Sequence, residues 1–332
     1  MRTIRRIRPR RARGFSLVEL MVALVIALMV LAATVSFYLM TRSTYTTIED
    51  TSGLEERGQF ALNVMTRVLR QAGFTQMSSN GRGGFMQIKP SDPPMLSGLD
   101  GCMGTEAAPK ATGPAAGESL SNCLSSQTPA GSDAIEVRYF GVGTAADPAT
   151  SDGTIIDCSG QGVADYTASE QAANQRGLSM FFIQKGRDGN PYLACKFRKR
   201  DASGHEVLNT TNEDDFVTQQ LVPGVETLQF LYGISTNGDT VPDIYKRASD
   251  MTADDWPQVF AIKVAMVVRA DNTSADASAN APTFTLFGNQ YQAADGTFQP
   301  TEKLNVARRL FTTTVQVRNY LVCSKQETTT CR

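Results

Sequence analysis

Arg13-Gly14-Phe15-Ser16-Leu17-Val18-Glu19-Leu20-Met21 decides how the chain is read. Before it stand seven arginines (Arg2, Arg5, Arg6, Arg8, Arg10, Arg11 and Arg13) with nothing acidic among them. After it, the only charged side chain between Phe15 and Met40 is Glu19. At about 1.5 Å per residue, a helix of that length crosses a hydrocarbon core of about 30 Å. The arginine cluster stays cytoplasmic, so the chain beyond Met40 is expected across the membrane. A lone carboxylate in hydrocarbon is expensive and needs a counter-charge.

An ordinary secretory signal fits poorly, because its apolar region runs to only about 7–15 residues. Ala32-Ala33-Thr34 is also a weak cleavage site. A plain signal anchor accounts for the apolar run but for neither Glu19 nor the Gly14-Phe15 junction.

Gly14-Phe15-Ser16-Leu17-Val18-Glu19-Leu20-Met21 resembles the class III signal of type IV pilins and pseudopilins. The resemblance implies cleavage between Gly14 and Phe15 by a prepilin peptidase, and N-methylation of Phe15. It also implies an assembly role for Glu19, whose carboxylate meets the N-terminal amine of a neighbouring subunit. A buried carboxylate must pair, protonate or reach water, so such an amine is a sensible partner.

The helical pattern continues past the membrane. Leu54, Ala61, Leu62, Met65, Val68, Leu69 and Ala72 recur on one face of a helix, and Gly73 is a natural stop. The reading is one long helix over 15–72, weakened near 44–53. Residues 78–132 have the Gly, Pro, Ser and Ala content of a loop. Strand signals follow at Ala134–Phe140, Met180–Gln184 and Tyr192–Arg198, the last two flanking the turn Gly186–Asn190. Ala134–Phe140 alternates, with Glu136 and Arg138 opposite Ile135, Val137 and Tyr139. Further strands are expected at Phe216–Val222, Val225–Tyr232, Val259–Arg269, Phe284–Phe287 and Leu310–Arg318, with 270–282 a surface loop. A long helix followed by mostly antiparallel strands is α+β. The pilin resemblance implies the same: a type IV pilin-like fold, its helix packed on an antiparallel sheet with loop insertions. The chain then divides into a leader (1–14), a transmembrane and filament-core helix (15–40), an amphipathic continuation (41–73) and a β-rich body (74–332).

Removing 1–14 leaves 25 basic against 33 acidic residues, a formal charge of −8. Bulk electrostatics then argue against nucleic acid, and the basic N-terminus is a topology signal. Six cysteines in an oxidising compartment point to disulfides, though sequence does not choose among the pairings. Nearest-neighbour pairing is the expectation: Cys102–Cys123, Cys158–Cys195 and Cys323–Cys331, the last closing a C-terminal loop as in many pilins. Zinc lacks support, since there is no CxxC and His205 is the only histidine.

Enzyme signatures are absent: no phosphate-binding P-loop, nucleophile elbow or zinc-protease motif occurs. His205 sits in a turn-like Ser203-Gly204-His205-Glu206. Asp250, Asp254 and Asp255 around Trp256 suit a helix-starting turn better than acid–base work. Ser235, Asn237, Asp239 and Asp243 resemble an eroded calcium loop, but a plain Asn-Gly turn is the favoured reading. No cofactor is called for beyond that calcium candidate.

Leu54–Leu62, Arg67–Phe74 and Gly224–Gly233 are similar to the helix and central strand of the PilW family of minor pilins. That resemblance implies a low-copy subunit that joins other minor pilins to prime pilus assembly at the tip, supporting twitching motility and adhesion. Its implied partners are minor and major pilins, the prepilin peptidase and the inner-membrane assembly platform. Its body would be periplasmic before assembly and at the cell surface afterwards. A minor pseudopilin of type II secretion and a membrane-anchored adhesin are the alternatives.

Overall fold

A computed structural model describes residues 14, 16–75, 94–104, 131–165, 175–202, 204–207, 216–273, 282–289, 291 and 293–317. Helix α1 (Leu17–Leu69) is continuous for 53 residues, through the stretch expected to be weak. The chain forms two compact units, Met1–Glu49 and Asp50–Arg332.

In the first unit the helix is apolar all round, with Leu17 through Met40 open on every face. A helix of that character belongs in lipid or against other helices. Its few polar side chains bond to the helix's own carbonyls. The hydroxyls of Thr34 and Ser36 donate to Leu31 O and Ala32 O at 2.8 Å, and that of Thr41 to Phe37 O at 2.8 Å. Hydroxyls satisfied in this way cost little in hydrocarbon.

In the second unit the helix buries one face. Leu54, Ala61, Leu62, Met65, Val68, Leu69 and Ala72 enter the main core, the set that the spacing predicts. Gly73 takes the left-handed conformation (φ 67°), and its N–H donates to Arg138 O at 3.0 Å. The helix end is thereby tied to a strand. Gln71 adds a second tie, its amide bonding both the N–H (3.0 Å) and the C=O (2.8 Å) of Ile156.

The strands form two main sheets rather than one. The first runs β1 (Leu96–Leu99), β3 (Ala134–Tyr139), β4 (Gly177–Lys185), β5 (Pro191–Arg198) and β6 (Phe216–Pro223). In the same sheet β2 (Met103–Gly104) pairs parallel to β4, so the sheet is not purely antiparallel. The second sheet is ordered β12 (Val306–Gln316), β9 (Val259–Thr273), β7 (Val225–Ile234), β8 (Ile244–Lys246). A small ribbon of β10 (Phe284–Thr285) and β11 (Thr297–Phe298) completes the set.

β6 and β7 do not form a hairpin. At Pro223-Gly224 the chain turns a corner from one sheet to the other. Gly224 makes the corner with φ 82°, its N–H on Pro191 O and its C=O on Arg269 N–H, each at 2.8 Å. A Cβ there would lie 2.6 Å from Arg269 O, so glycine is required.

The main core lies among the helix and the inner faces of both sheets. The outer face of the first sheet buries Leu178, Met180, Phe182 and Ala194, and that of the second packs Ala265 and Val267 under Leu286. Two expectations need correction. Residues 78–132, read as loop, contain β1 and β2. The 270–282 loop begins as strand, because β9 keeps its pairing with β12 as far as Thr273. Glu136 and Arg138 do lie opposite Ile135, Val137 and Tyr139, and there they are buried as an ion pair with each other, since the first sheet is covered on both faces.

Candidate functional site

Glu19 lies in the first turn of α1. Its Oε2 accepts from the Ser16 N–H at 3.0 Å, and its own N–H donates to Ser16 Oγ at 3.2 Å. This reciprocal pair is a capping box, which satisfies two of the free donors at a helix start. The spacing Ser16-Leu17-Val18-Glu19 announces it, yet the charge pattern draws attention to the membrane cost of Glu19 instead. The carboxylate also sits at the positive end of the helix dipole, where an anion is favoured. Gly14 is exposed beside this turn, and Phe15 lies outside the described residues. The tip thus presents a fixed acid at the start of a lipid-length helix, the chemistry needed to receive a cation from another chain.

The helix is held to the body by polar contacts at the start of the second unit. Arg57 pairs with Asp271 of β9, Glu55 with Arg309 of β12 at 2.6 Å, and Asn272 donates to Asp50 at 2.8 Å. The Arg57 hydrogen bond holds the Asp271 carboxyl below its ordinary value, and Asp271 in turn raises Arg57.

A deeper charge cluster joins the sheets. Glu226 lies between Arg269 (Nη1–Oε1 3.1 Å) and Arg308 (Nε–Oε2 2.6 Å). Arg269 continues to Asn190 Oδ1 at 2.6 Å, in the turn between β4 and β5, and Lys303 reaches the same oxygen at 2.9 Å. No sequence motif marks this cluster, because its members come from four distant segments.

The candidate calcium loop uses its oxygens internally. Asp239 Oδ1 accepts from Val241 N–H at 2.8 Å, Asn237 Oδ1 from Asp239 N–H at 2.9 Å, and Asp243 Oδ2 from Thr236 N–H at 2.7 Å. The Ser235 hydroxyl bonds Asn237 Oδ1 at 2.9 Å. With Gly238 at φ 85°, this is the geometry of a self-bonded turn. The bonds from Thr236 hold Asp243 below its ordinary value. Among the described residues no group of three His, Cys, Asp or Glu side chains is placed to hold a metal.

Cys158 and Cys195 are bonded, with Cα atoms 6.0 Å apart, as nearest-neighbour pairing expects. Cys102 is disulfide-bonded too, while Cys123, Cys323 and Cys331 lie outside the described residues. Asp255 accepts from Lys246 Nζ (2.9 Å) and Thr252 N–H (2.8 Å), and Asp250 pairs with Arg247, so these acids order turns around Trp256. His205 occupies a tight turn.

The sequence profile described as type IV pilus-assembly protein W matches residues 180–319. That described as the prokaryotic N-terminal methylation motif matches residues 9–35. No curated protein matches the chain. Among solved structures it is similar to a type IV-like pilin from Thermus thermophilus, with 11% identity and a TM-score of 0.35 over 80% of this chain and 97% of that one. The methylation motif and the apolar helix anchor the chain in the inner membrane for pilus assembly, in a family of structural rather than enzymatic proteins. The two matches support a type IV pilus pilin, with residues 180–319 similar to type IV pilus-assembly protein W.

Proposed function

We propose that the chain is a minor pilin that joins other minor pilins to prime pilus assembly at the tip, in support of twitching motility and adhesion. In this reading the prepilin peptidase cuts between Gly14 and Phe15, and Phe15 is N-methylated. Residues 15–40 then leave the membrane for the filament core, with 41–73 leading into a body of 74–332. Glu19 receives the N-terminal amine of a neighbouring subunit, exchanging an internal cap bond for an intermolecular ion pair. Partner subunits and the assembly platform are met by helix packing and by the body.

Glu19 carries the reading: it is the one charged side chain in the apolar run, and Ser16 sets it at the helix start. Two experiments test it. Glu19→Ala is expected to insert and be processed yet stay out of the filament; normal incorporation would overturn the assembly role. Deletion of the gene is expected to abolish surface pili and twitching. Loss of exoprotein secretion with pili intact would assign the chain to type II secretion instead. A mature protein that retains Met1 would favour a simple anchored adhesin.

A further inference from the structure

Beyond β5, Lys199–Asp201 and His205–Val207 run back along each other. Asp201 N–H donates to His205 O, and Val207 N–H to Lys199 O, each at 2.8 Å. Arg200 and Glu206 therefore face each other in an isolated antiparallel bridge. The two arms are held very differently.

Arg200 is anchored. Its Nη2 lies 2.9 Å from Asp157 Oδ2, and its Nε donates to Gln161 Oε1 at 2.7 Å. Asp157 is fixed in turn, its Oδ1 accepting from the Ser159 N–H and hydroxyl and from the Gln161 N–H. The next residue, Cys158, is bonded to Cys195 of β5. The outgoing arm is thus tied to the body by an ion pair, a side-chain hydrogen bond and a nearby disulfide.

The Glu206 side chain is held more loosely, by one long ion pair to Arg200. It is only 4% exposed, yet Oε1 has no hydrogen-bond partner and lies 3.9 Å from Arg200 Nη2. Arg200 and Arg198 favour its anion, whereas Asp157 opposes it. Tyr139 of β3 faces the same group, and His205 adjoins it on the arm. Burial outweighs the arginines and lifts the carboxyl from 4.5 to about 7. Burial with one oxygen unbonded thus favours the neutral carboxyl.

We infer that the return arm His205–Val207 is a proton-held latch: it lies on Lys199–Asp201 while Glu206 is neutral, and it lifts to carry Glu206 into water when the carboxyl gives its proton to solvent. Arg200 stays on Asp157 throughout, so the movement is confined to the return arm. The closed form holds the proton more tightly than the open one. Opening is therefore favoured as pH rises from about 4.5, by about tenfold per unit, and levels off above about 7.

Hydrogen exchange of the full chain in detergent micelles, corrected for intrinsic rates, tests this between pH 5 and 8. Protection of the Asp201 and Val207 amides is expected to fall by roughly two orders of magnitude from pH 5 to 7, while amides of Leu228 and Phe230 in β7 hold their protection. Glu206→Gln is expected to keep the arm protected at every pH. A flat wild-type profile would overturn the latch, as would Glu206→Gln retaining the wild-type dependence. If Glu206→Gln does not fold, Glu206→Met, of similar length and without charge, takes its place under the same criterion.

Discussion

Gly58 of α1 and Phe311 of β12 occupy one contact. The Phe311 ring edge, at Cζ and Cε1, fills the position that a Cβ on residue 58 would take. The helix accepts a glycine at mid-length because the second sheet approaches it closely there. Gly58→Ala should gain about 1 kcal/mol of helix propensity. It should lose more, because the ring is buried and has little room to yield: overpacking costs about 1–3 kcal/mol. The expected result is a lower thermal midpoint in detergent. Phe311→Leu should restore part of the loss in the double variant, and a more stable Gly58→Ala would refute the close approach.

Glu226 should be the most sensitive single charge in the body. Its carboxylate neutralises both Arg269 and Arg308, whose side chains are 5% and 1% exposed. Glu226→Gln leaves two buried guanidinium groups without a counter-charge. Breaking a buried pair in this way costs about 3–5 kcal/mol. Denaturant unfolding is expected to show that loss. A triple replacement of Glu226, Arg269 and Arg308 by apolar residues should recover much of it, since removing all the charges also removes their desolvation.

The Cys158–Cys195 bond joins the segment after β3 to β5 across 37 residues of sequence. Replacing both cysteines with alanine should cost about 2–5 kcal/mol. Non-reducing against reducing thermal melts should differ by more in the wild type than in this double variant, which keeps the Cys102 disulfide. An equal difference in the two proteins would mean that the Cys158–Cys195 bond contributes nothing.

Much of the helix was legible in the sequence, and much of the body was not, for a definite reason. Leu54 to Ala72 show a helical period, which is local, so the buried face could be read directly. Glu136 and Arg138 show only a two-residue alternation. That pattern separates the two faces of a strand but does not say whether the second face meets water. Here both faces are covered, and the polar pair is buried. Sheet membership is likewise a long-range property. Pro223-Gly224 reads as a break, yet only the pairing of β6 with β5 and of β7 with β9 makes it a corner. At the N-terminal tip the reverse holds. Glu19 stands out on charge alone, and the Ser16 partner was legible by spacing but is overshadowed by the apolar run.

The clasp between α1 and β9 should weaken in acid. The Arg57 guanidinium holds the Asp271 carboxyl below its ordinary 3.8, so the folded form binds this proton less readily than the unfolded chain. A depressed acid contributes stability that is present above the unfolded value. That contribution is lost as pH falls from near 4 through the lowered folded value. Both side chains are partly open to solvent, at 31% and 60%, so screening limits the contribution to under about 1 kcal/mol. Asp271→Asn should therefore lower stability slightly at pH 7, by an amount that shrinks with added salt and vanishes once pH falls below the lowered folded value. The comparison is a pair of pH-dependent unfolding curves, wild type against variant, at low and high ionic strength. Curves that stay parallel down to the lowest pH would show that the ion pair does not fasten the helix to the sheet, and would leave the Asp50–Asn272 and Glu55–Arg309 contacts to hold it.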